Sequence, residues 1–166
     1  MPDRREIVIN TGPLIALAAA LDDLRLLDRL YRAVHVPFEV GAEITAKGAA
    51  GFAADLYETA TWLHKGPTPT ANVSPILKNS LDAGEAAVIQ YALNQGIDTV
   101  CIDEAAGRRF ARLSGLKITG SLGVLLRGKR EGHPIVLQQA IERMRGKGIW
   151  LSNQLVSLVL RRAGEE

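Results

Sequence analysis

The stretch that decides the fold is Ile7-Val8-Ile9-Asn10-Thr11-Gly12-Pro13-Leu14-Ile15-Ala16-Leu17. Its first three residues are apolar and β-branched, which is typical of a buried strand. The chain then reaches the polar residue Asn10 and turns directly into a helix that carries Pro13 in its first turn. Functional sites form at such junctions in α/β proteins, because ligands bind at the carboxyl ends of the strands. Asn10 is therefore the first candidate residue, and it offers a neutral oxygen rather than a carboxylate.

Length and composition predict one domain over residues 1–166, since the chain has 166 residues of which 47% are hydrophobic. The formal net charge of +2 permits an anionic partner without requiring one. The single cysteine, Cys101, lies in an apolar run and is expected to be a core residue. We find neither a secretory signal nor a stretch of about 18 apolar residues that would span a membrane. The expectation is a soluble, cytoplasmic protein.

Strand and helix patterns alternate along the chain. Further strands are predicted at 33–36, 62–63, 97–102 and 116–119, and helices at 13–20, 22–32, 37–47, 49–60, 86–93 and 105–113. The segment 66–80 contains three prolines and is predicted to be a loop. Helices at 121–130, 135–145 and 152–162 would form a helical C-terminal extension over about residues 121–166. This order predicts an α/β fold with a central parallel sheet covered on both faces.

The C-terminal extension is modestly basic, and its simplest interpretation is a solvated surface. Eight basic residues stand against four acidic ones there: Arg127, Lys129, Arg130, Arg143, Arg145, Lys147, Arg161 and Arg162 against Glu131, Glu142, Glu165 and Glu166.

Several common functional motifs are missing from the sequence. There is no phosphate loop, no dinucleotide-binding glycine pattern, no cysteine pair, no H-E-x-x-H and no nucleophile elbow. The three histidines, His35, His64 and His133, lie far apart without the spacing of metal ligands. Purine-nucleotide hydrolysis, dinucleotide binding, a zinc site and serine hydrolysis all lose support.

What remains is a set of oxygen-bearing side chains on separate elements, namely Asn10, Glu43, Glu85 and Asp103. Hard cations such as Mg²⁺ or Mn²⁺ prefer such ligands. Asn10 and Asp103 each follow a strand, so one sheet edge would carry both. Each residue also has a structural alternative: Asn10 as a turn former, Glu43 as a solvated helical charge, Glu85 as part of a capping box with Asp82, and Asp103 as a helix cap.

Five segments together resemble the PIN-domain nucleases, and more closely a prokaryotic PIN-like family related to VapC-type toxins. They are I-N-T-G-P-L-I-A-L at 9–17, Val36-Pro37 with Glu39, Glu43 and Ile44, L-D-A-G-E-A at 81–86, I-D-E at 102–104 with G-R-R at 107–109, and T-G-S-L-G-V-L at 119–125. The resemblance covers nearly the whole chain. The closer family usually begins with D-T-S-P-L-I-A-L or N-T-S-P-L-I-A-L. Asn10 therefore departs from PIN nucleases in general, which usually have aspartate there, and Gly12 departs from the usual serine.

The resemblance implies a three-layer α/β/α PIN-like domain whose acids bind Mg²⁺ or Mn²⁺ and cut RNA. Asn10, Glu43, Glu85 and Asp103 would be the catalytic and metal-binding residues. The substrate would contact two hydroxyls and two arginines: Thr11, Ser121, Arg108 and Arg109. A homodimer and a small antitoxin protein would be the expected partners.

Three functional hypotheses follow. The first is a metal-dependent ribonuclease whose cation affinity is reduced by the missing charge at Asn10, with a role as the toxin of a toxin-antitoxin pair left open. The second is a catalytically impaired PIN-like module that binds RNA or protein. The third is a receiver-like or small-molecule-binding domain whose edge acid is Asp103, although a receiver requires an acidic pair where this chain has Asn10-Thr11.

Overall fold

The computed structural model describes residues 5–46 and 51–166, which are organised around a five-stranded sheet. Its strands are β1 (Glu6–Ile9), β2 (Ala33–Val36), β3 (His64–Lys65), β4 (Thr99–Cys101) and β5 (Lys117–Thr119). Their spatial order is β3-β2-β1-β4-β5, and every pairing is parallel. The parallel α/β sheet predicted from the sequence is confirmed.

The central strands are buried on both faces. In β1, Ile7, Val8 and Ile9 are inaccessible to solvent, and so are Val100 and Cys101 in β4. A strand covered on both sides has no solvated face, so its sequence is a continuous apolar run instead of an alternating one. The expectation that Cys101 is a core thiol is confirmed, and burial raises its pKa well above the ordinary value.

Ten helices lie in the described part of the chain. They are α1 (Thr11–Leu21), α2 (Arg25–Leu30), α3 (Phe38–Ala46), α4 (Phe52–Thr59), α5 (Pro75–Ser80), α6 (Ala83–Gln95), α7 (Ala105–Leu113), α8 (Ser121–Arg130), α9 (Leu137–Gly146) and α10 (Asn153–Arg162). Helix α1 packs against α4, α8 and α9, whereas α6 packs against α3, α5 and α7. The helices flank the sheet in a three-layer α/β/α arrangement. No described helix combines the length and the apolar character needed to cross a membrane.

Two predictions about local structure were wrong. The short strand expected at 62–63 lies at His64–Lys65, where it exists only through its pairing with β2. The segment 66–80, expected to be a loop, contains α5, which starts at Pro75 because proline is well suited to the first position of a helix. The expected ends of two helices near Lys47 and Ala49 fall outside the described residues.

Glu165 stabilises the C-terminal extension through hydrogen bonds to the start of α9 and to α8. Its carboxylate accepts hydrogen bonds from the backbone amides of Leu137 (2.7 Å) and Gln138 (3.0 Å), and from Lys129 Nζ (2.5 Å). Helix α9 needs this contact, because its own N-cap residue is Val136 and makes no side-chain cap. Partial burial favours the neutral carboxyl, but the hydrogen bonds from Lys129 and the two amides outweigh it and lower the pKa of Glu165.

Candidate active site

The carboxyl ends of the strands meet at one edge, and four helices begin there. Helices α1, α3, α7 and α8 follow β1, β2, β4 and β5 respectively. A helix N-terminus carries a partial positive charge and unpaired amide groups, which attract carboxylates and phosphates. The helix N-termini at this edge therefore favour an anionic substrate. The acids at the same edge repel such a substrate unless a cation neutralises their charge.

Asn10 is the N-cap residue of α1, yet its side chain caps nothing. An N-cap oxygen normally accepts from the second or third amide of the helix. Here the third residue is Pro13, which has no amide hydrogen. Asn10 is only 7% exposed, and its Oδ1 has no hydrogen-bond partner in the protein. The sequence N-T-G-P thus leaves a buried acceptor available for another group, at a cost of about 1–3 kcal/mol for an unsatisfied atom.

Gly84 shows which groups surround that acceptor. A β-carbon placed on Gly84 would lie 3.0 Å from Glu43 Oε2, 3.2 Å from Asn10 Oδ1 and 3.6 Å from Asp82 Oδ1. Three oxygens from three different elements therefore converge near one point. The glycine is what leaves this space open, since a side chain there would press against Glu43 and Asn10. The structure brings Asn10 and Glu43 together.

Glu85 lies deeper in the same edge, on α6. It is 4% exposed, and its Oε2 has no hydrogen-bond partner. Gly107 on α7 makes room for it, because a β-carbon there would lie 2.5 Å from that oxygen. Burial raises the pKa of Glu85 to about 7, and the hydrogen bond and charge of Asp82 and the charge of Glu104 act in the same direction. A nearby cation would stabilise the ionised form of this buried carboxyl group.

The capping box predicted at the start of α6 is confirmed in one direction. Asp82 Oδ1 accepts from the Glu85 amide at 2.8 Å. Asp82 therefore both caps the helix and contributes an oxygen to the cluster around Gly84.

Asp103 follows β4 and is exposed. Its Oδ1 accepts a hydrogen bond from the Ser121 amide at 2.8 Å, so it caps α8 from outside rather than its own helix. Gly120 permits this approach, since a β-carbon on it would lie 2.6 Å from that oxygen. Arg108 is fixed nearby by donating from Nη1 to the Ile102 carbonyl at 2.8 Å.

The remaining predicted contact residues differ in their environments. Thr11 is buried with an unpartnered Oγ1, and Ser121 is 2% exposed. Arg109 is exposed on α7. Sequence reasoning missed Asp82 and Glu104 as neighbours of the site, because Asp82 had already been assigned as a cap. The glycine between Asp82 and Glu85 was the available signal.

The donors fit a hard cation held by few protein ligands. Asn10 and Glu43 supply two converging oxygens, one of them orphaned and buried. Within residues 5–46 and 51–166, no three Asp, Glu, His or Cys side chains form a metal-binding group. The four predicted residues thus do not make one compact cluster. Mg²⁺ accepts such a site, because it commonly uses one or two carboxylates together with water and substrate phosphate.

A groove of about 990 Å³ borders this edge on the side of α8 and α10. Its lining includes Asp103, Arg108 and Ser121, and also Trp150 and Arg162. Asn10, Glu43 and Glu85 are not part of its lining. The groove therefore adjoins the acidic edge without containing it.

The three layers and the polar residues at the strand ends define a PIN domain. Residues 6–165 match the model of the family DUF3368, whose description is PIN domain, and the chain belongs to that family. PIN domains are generally nucleases. No protein in the curated collection matches the chain. The resemblance to PIN domains found in the sequence is thereby confirmed, whereas the relation to VapC-type toxins stays a prediction.

Proposed function

We propose that the protein is a metal-dependent ribonuclease that hydrolyses RNA phosphodiesters with Mg²⁺ or Mn²⁺. The observation that carries this proposal is the convergence of the orphaned Asn10 Oδ1 and the Glu43 carboxylate beside Gly84, at the edge where four helices begin. The amide of Asn10 and the carboxylate of Glu43 can bind a cation, and the cation can bind a phosphate. Asp82 and Asp103 are exposed beside them.

Each residue at the edge has a role that follows from its contacts. Asn10 and Glu43 would hold the cation, which when bound lowers the pKa of water and offsets charge on the phosphate. Asp103 has one oxygen fixed by the Ser121 amide and keeps the other to accept a proton from the attacking water. The water oxygen bonds to phosphorus as the bond to the leaving ribose oxygen breaks. The helix N-termini and Arg108 would hold the phosphate, while Thr11, Ser121 and Arg109 are proposed as further RNA contacts.

A second candidate function is favoured by Asn10 itself. The amide lacks the charge of an aspartate, so the cluster attracts a cation less strongly. In this version the domain binds RNA, or a protein, without cutting it. Restoring aspartate at position 10 separates the two: a gain in cleavage indicates a weakened enzyme.

The partners are also proposals. The resemblance to toxin families supports a small antitoxin protein and a homodimer. Light scattering of the purified chain tests the dimer, and co-purification with the product of an adjacent small reading frame tests the antitoxin.

The deciding experiment is cleavage of a mixed RNA pool with Mn²⁺, comparing wild type with Asp103→Asn. The asparagine can still accept from the Ser121 amide, so the fold should be retained while the charge is lost. Asp98→Asn is the matched control, because Asp98 lies before β4 and is 58% exposed in a pair with Lys117. Cleavage that Asp103→Asn abolishes and Asp98→Asn preserves supports the proposal. Cleavage that is equal in all three proteins contradicts it.

A further inference from the structure

Trp150 stands out among the apolar residues because it is 83% exposed. Tryptophan is large and on average highly buried. This side chain lies in the connection between α9 and α10 and lines the groove of about 990 Å³ described above. Leu155 and Leu158 of α10 line the same groove and are 43% and 41% exposed. The groove thus has an aromatic side chain and an apolar wall that solvent can reach.

The charges along the groove identify the kind of ligand. Arg162 lines it, and among the described residues no acid pairs with this arginine, whereas Arg127, Lys129 and Arg161 are each paired with a glutamate. Arg108 and Asp103 line the groove as well. An aromatic face together with cationic groups is the combination with which proteins bind single-stranded nucleic acid, since bases stack and phosphates pair with arginine.

The position of the groove supports the same ligand. Asp103 and Ser121, two residues of the acidic edge, line the groove, so a strand whose phosphodiester lies at that edge can continue into it. Its volume lies at the upper end of the range of about 300–1,000 Å³ that is usual for ligand sites. We propose that Trp150 stacks on an unpaired base of the RNA strand bound at the active-site edge, with Arg162 contacting the adjoining backbone. This inference rests on the proposed function, and it adds a residue that selects single-stranded RNA.

The test uses the fact that the chain has only two tryptophans. Replacing Trp62 by Phe makes Trp150 the single tryptophan, whose fluorescence is quenched when a base stacks on it. The probes are a short single-stranded oligoribonucleotide of mixed sequence and the same sequence in a blunt duplex. Both are added with Mn²⁺ to a protein that also carries Asp103→Asn, so that binding is measured with the cation present and without cleavage.

We expect quenching by the single strand and none by the duplex. Trp150→Ala should weaken single-strand binding by about 5-fold to about 150-fold, whereas Trp150→Phe should retain most of the affinity. Leu113→Ala is the matched control, since Leu113 is 74% exposed on α7 and lies outside the groove. Because Trp150 is exposed, its replacement should leave the fold intact, which circular dichroism checks.

Three outcomes would overturn the inference: unchanged Trp150 fluorescence on RNA binding, equal affinity of Trp150→Ala and wild type, or a Trp150→Ala variant that loses only self-association. The last would make the surface a contact between protein chains. Stacking without Mn²⁺-dependent cleavage supports the inference and contradicts the ribonuclease. Mn²⁺-dependent cleavage without stacking on Trp150 supports the ribonuclease and contradicts the inference.

Discussion

Asn10 and Glu43 present oxygens to the same small space beside Gly84, although one caps a helix after β1 and the other lies on α3. Only one of the two is charged. This pairing is the reason for two candidate functions, a metal-dependent ribonuclease and a binding domain that does not cut, because an amide and a carboxylate bind a divalent cation less strongly than two carboxylates do.

Asn10→Asp should tighten Mn²⁺ binding about tenfold, which adds about 1.4 kcal/mol to the free energy of unfolding at saturating Mn²⁺. Without metal the new charge beside Glu43 and Asp82 should lower stability. Thermal unfolding with Mn²⁺ and with EDTA measures both effects. Asn79→Asp makes the same charge change on an exposed helix end and should show neither. Equal Mn²⁺ effects in the two variants would exclude Asn10 as a ligand.

Gly84→Ala should reduce RNA cleavage by at least about tenfold, because small displacements of catalytic groups are costly. The new methyl would lie 3.0 Å from Glu43 and 3.2 Å from Asn10, so both must move. The free energy of unfolding should change little, because the preference of about 1 kcal/mol for alanine over glycine within a helix offsets the crowding against Glu43 and Asn10. Gly146→Ala, where a β-carbon meets nothing within 4 Å, is the control for cleavage and unfolding. Full activity in Gly84→Ala would show that this space is not used.

Glu85→Gln should stabilise the metal-free protein at high pH. The pKa of Glu85 is about 7 in the folded protein and 4.5 as its ordinary value. The contribution of this group to stability is therefore complete below about pH 4.5 and is lost as the pH rises through 7. Glutamine does not ionise and avoids that loss. The variant should match the wild type near pH 4 and exceed it by up to about 3 kcal/mol near pH 8.5.

Urea unfolding in EDTA across that pH range gives the difference directly. Glu142→Gln, at an exposed acid on α9, is the control. A difference between Glu85→Gln and wild type that does not vary with pH would mean that Glu85 titrates normally.

The sequence predicted the strands and the polar residues that follow them, because buried parallel strands are continuous apolar runs and their ends are marked by Asn10 and Asp103. It predicted α7 and α8 with their observed bounds. It could not predict β3, whose two residues are a strand only through pairing with β2. Nor could it predict that Asp22, expected near the start of α2, ends α1 in a left-handed conformation.

The roles of the candidate site residues stay predictions, and their geometry could not be read from the sequence. The order of the motifs pointed to Asn10, Glu43, Glu85 and Asp103. Which oxygens converge depends on glycines at 84, 107 and 120, whose effect appears only when the helices are packed. Trp150 carried no signal, because exposure is not visible in a sequence.

Glu165→Gln should lower the free energy of unfolding by about 1–2 kcal/mol at pH 7, because it weakens charge-assisted bonds to Lys129 and two amides. The lowered pKa of Glu165 means that its stabilisation is present above about pH 4.3 and is lost as the pH falls further. The wild type and the variant should therefore converge near pH 3. Glu166→Gln, in an exposed pair with Arg161, should change stability by less than about 0.5 kcal/mol. Equal losses in both variants would contradict this assignment.

The contact between Glu165 and the start of α9 also has a consequence for how the chain folds during synthesis. Chains grow from the N-terminus, and the first amides of α9 lie 28 residues before the carboxylate that caps them. The sheet and its polar edge can assemble while the ribosome is still translating the last helices. Helix α9 is capped only after Glu165 has left the exit tunnel, so the part of the groove that carries Trp150 should become rigid after the sheet.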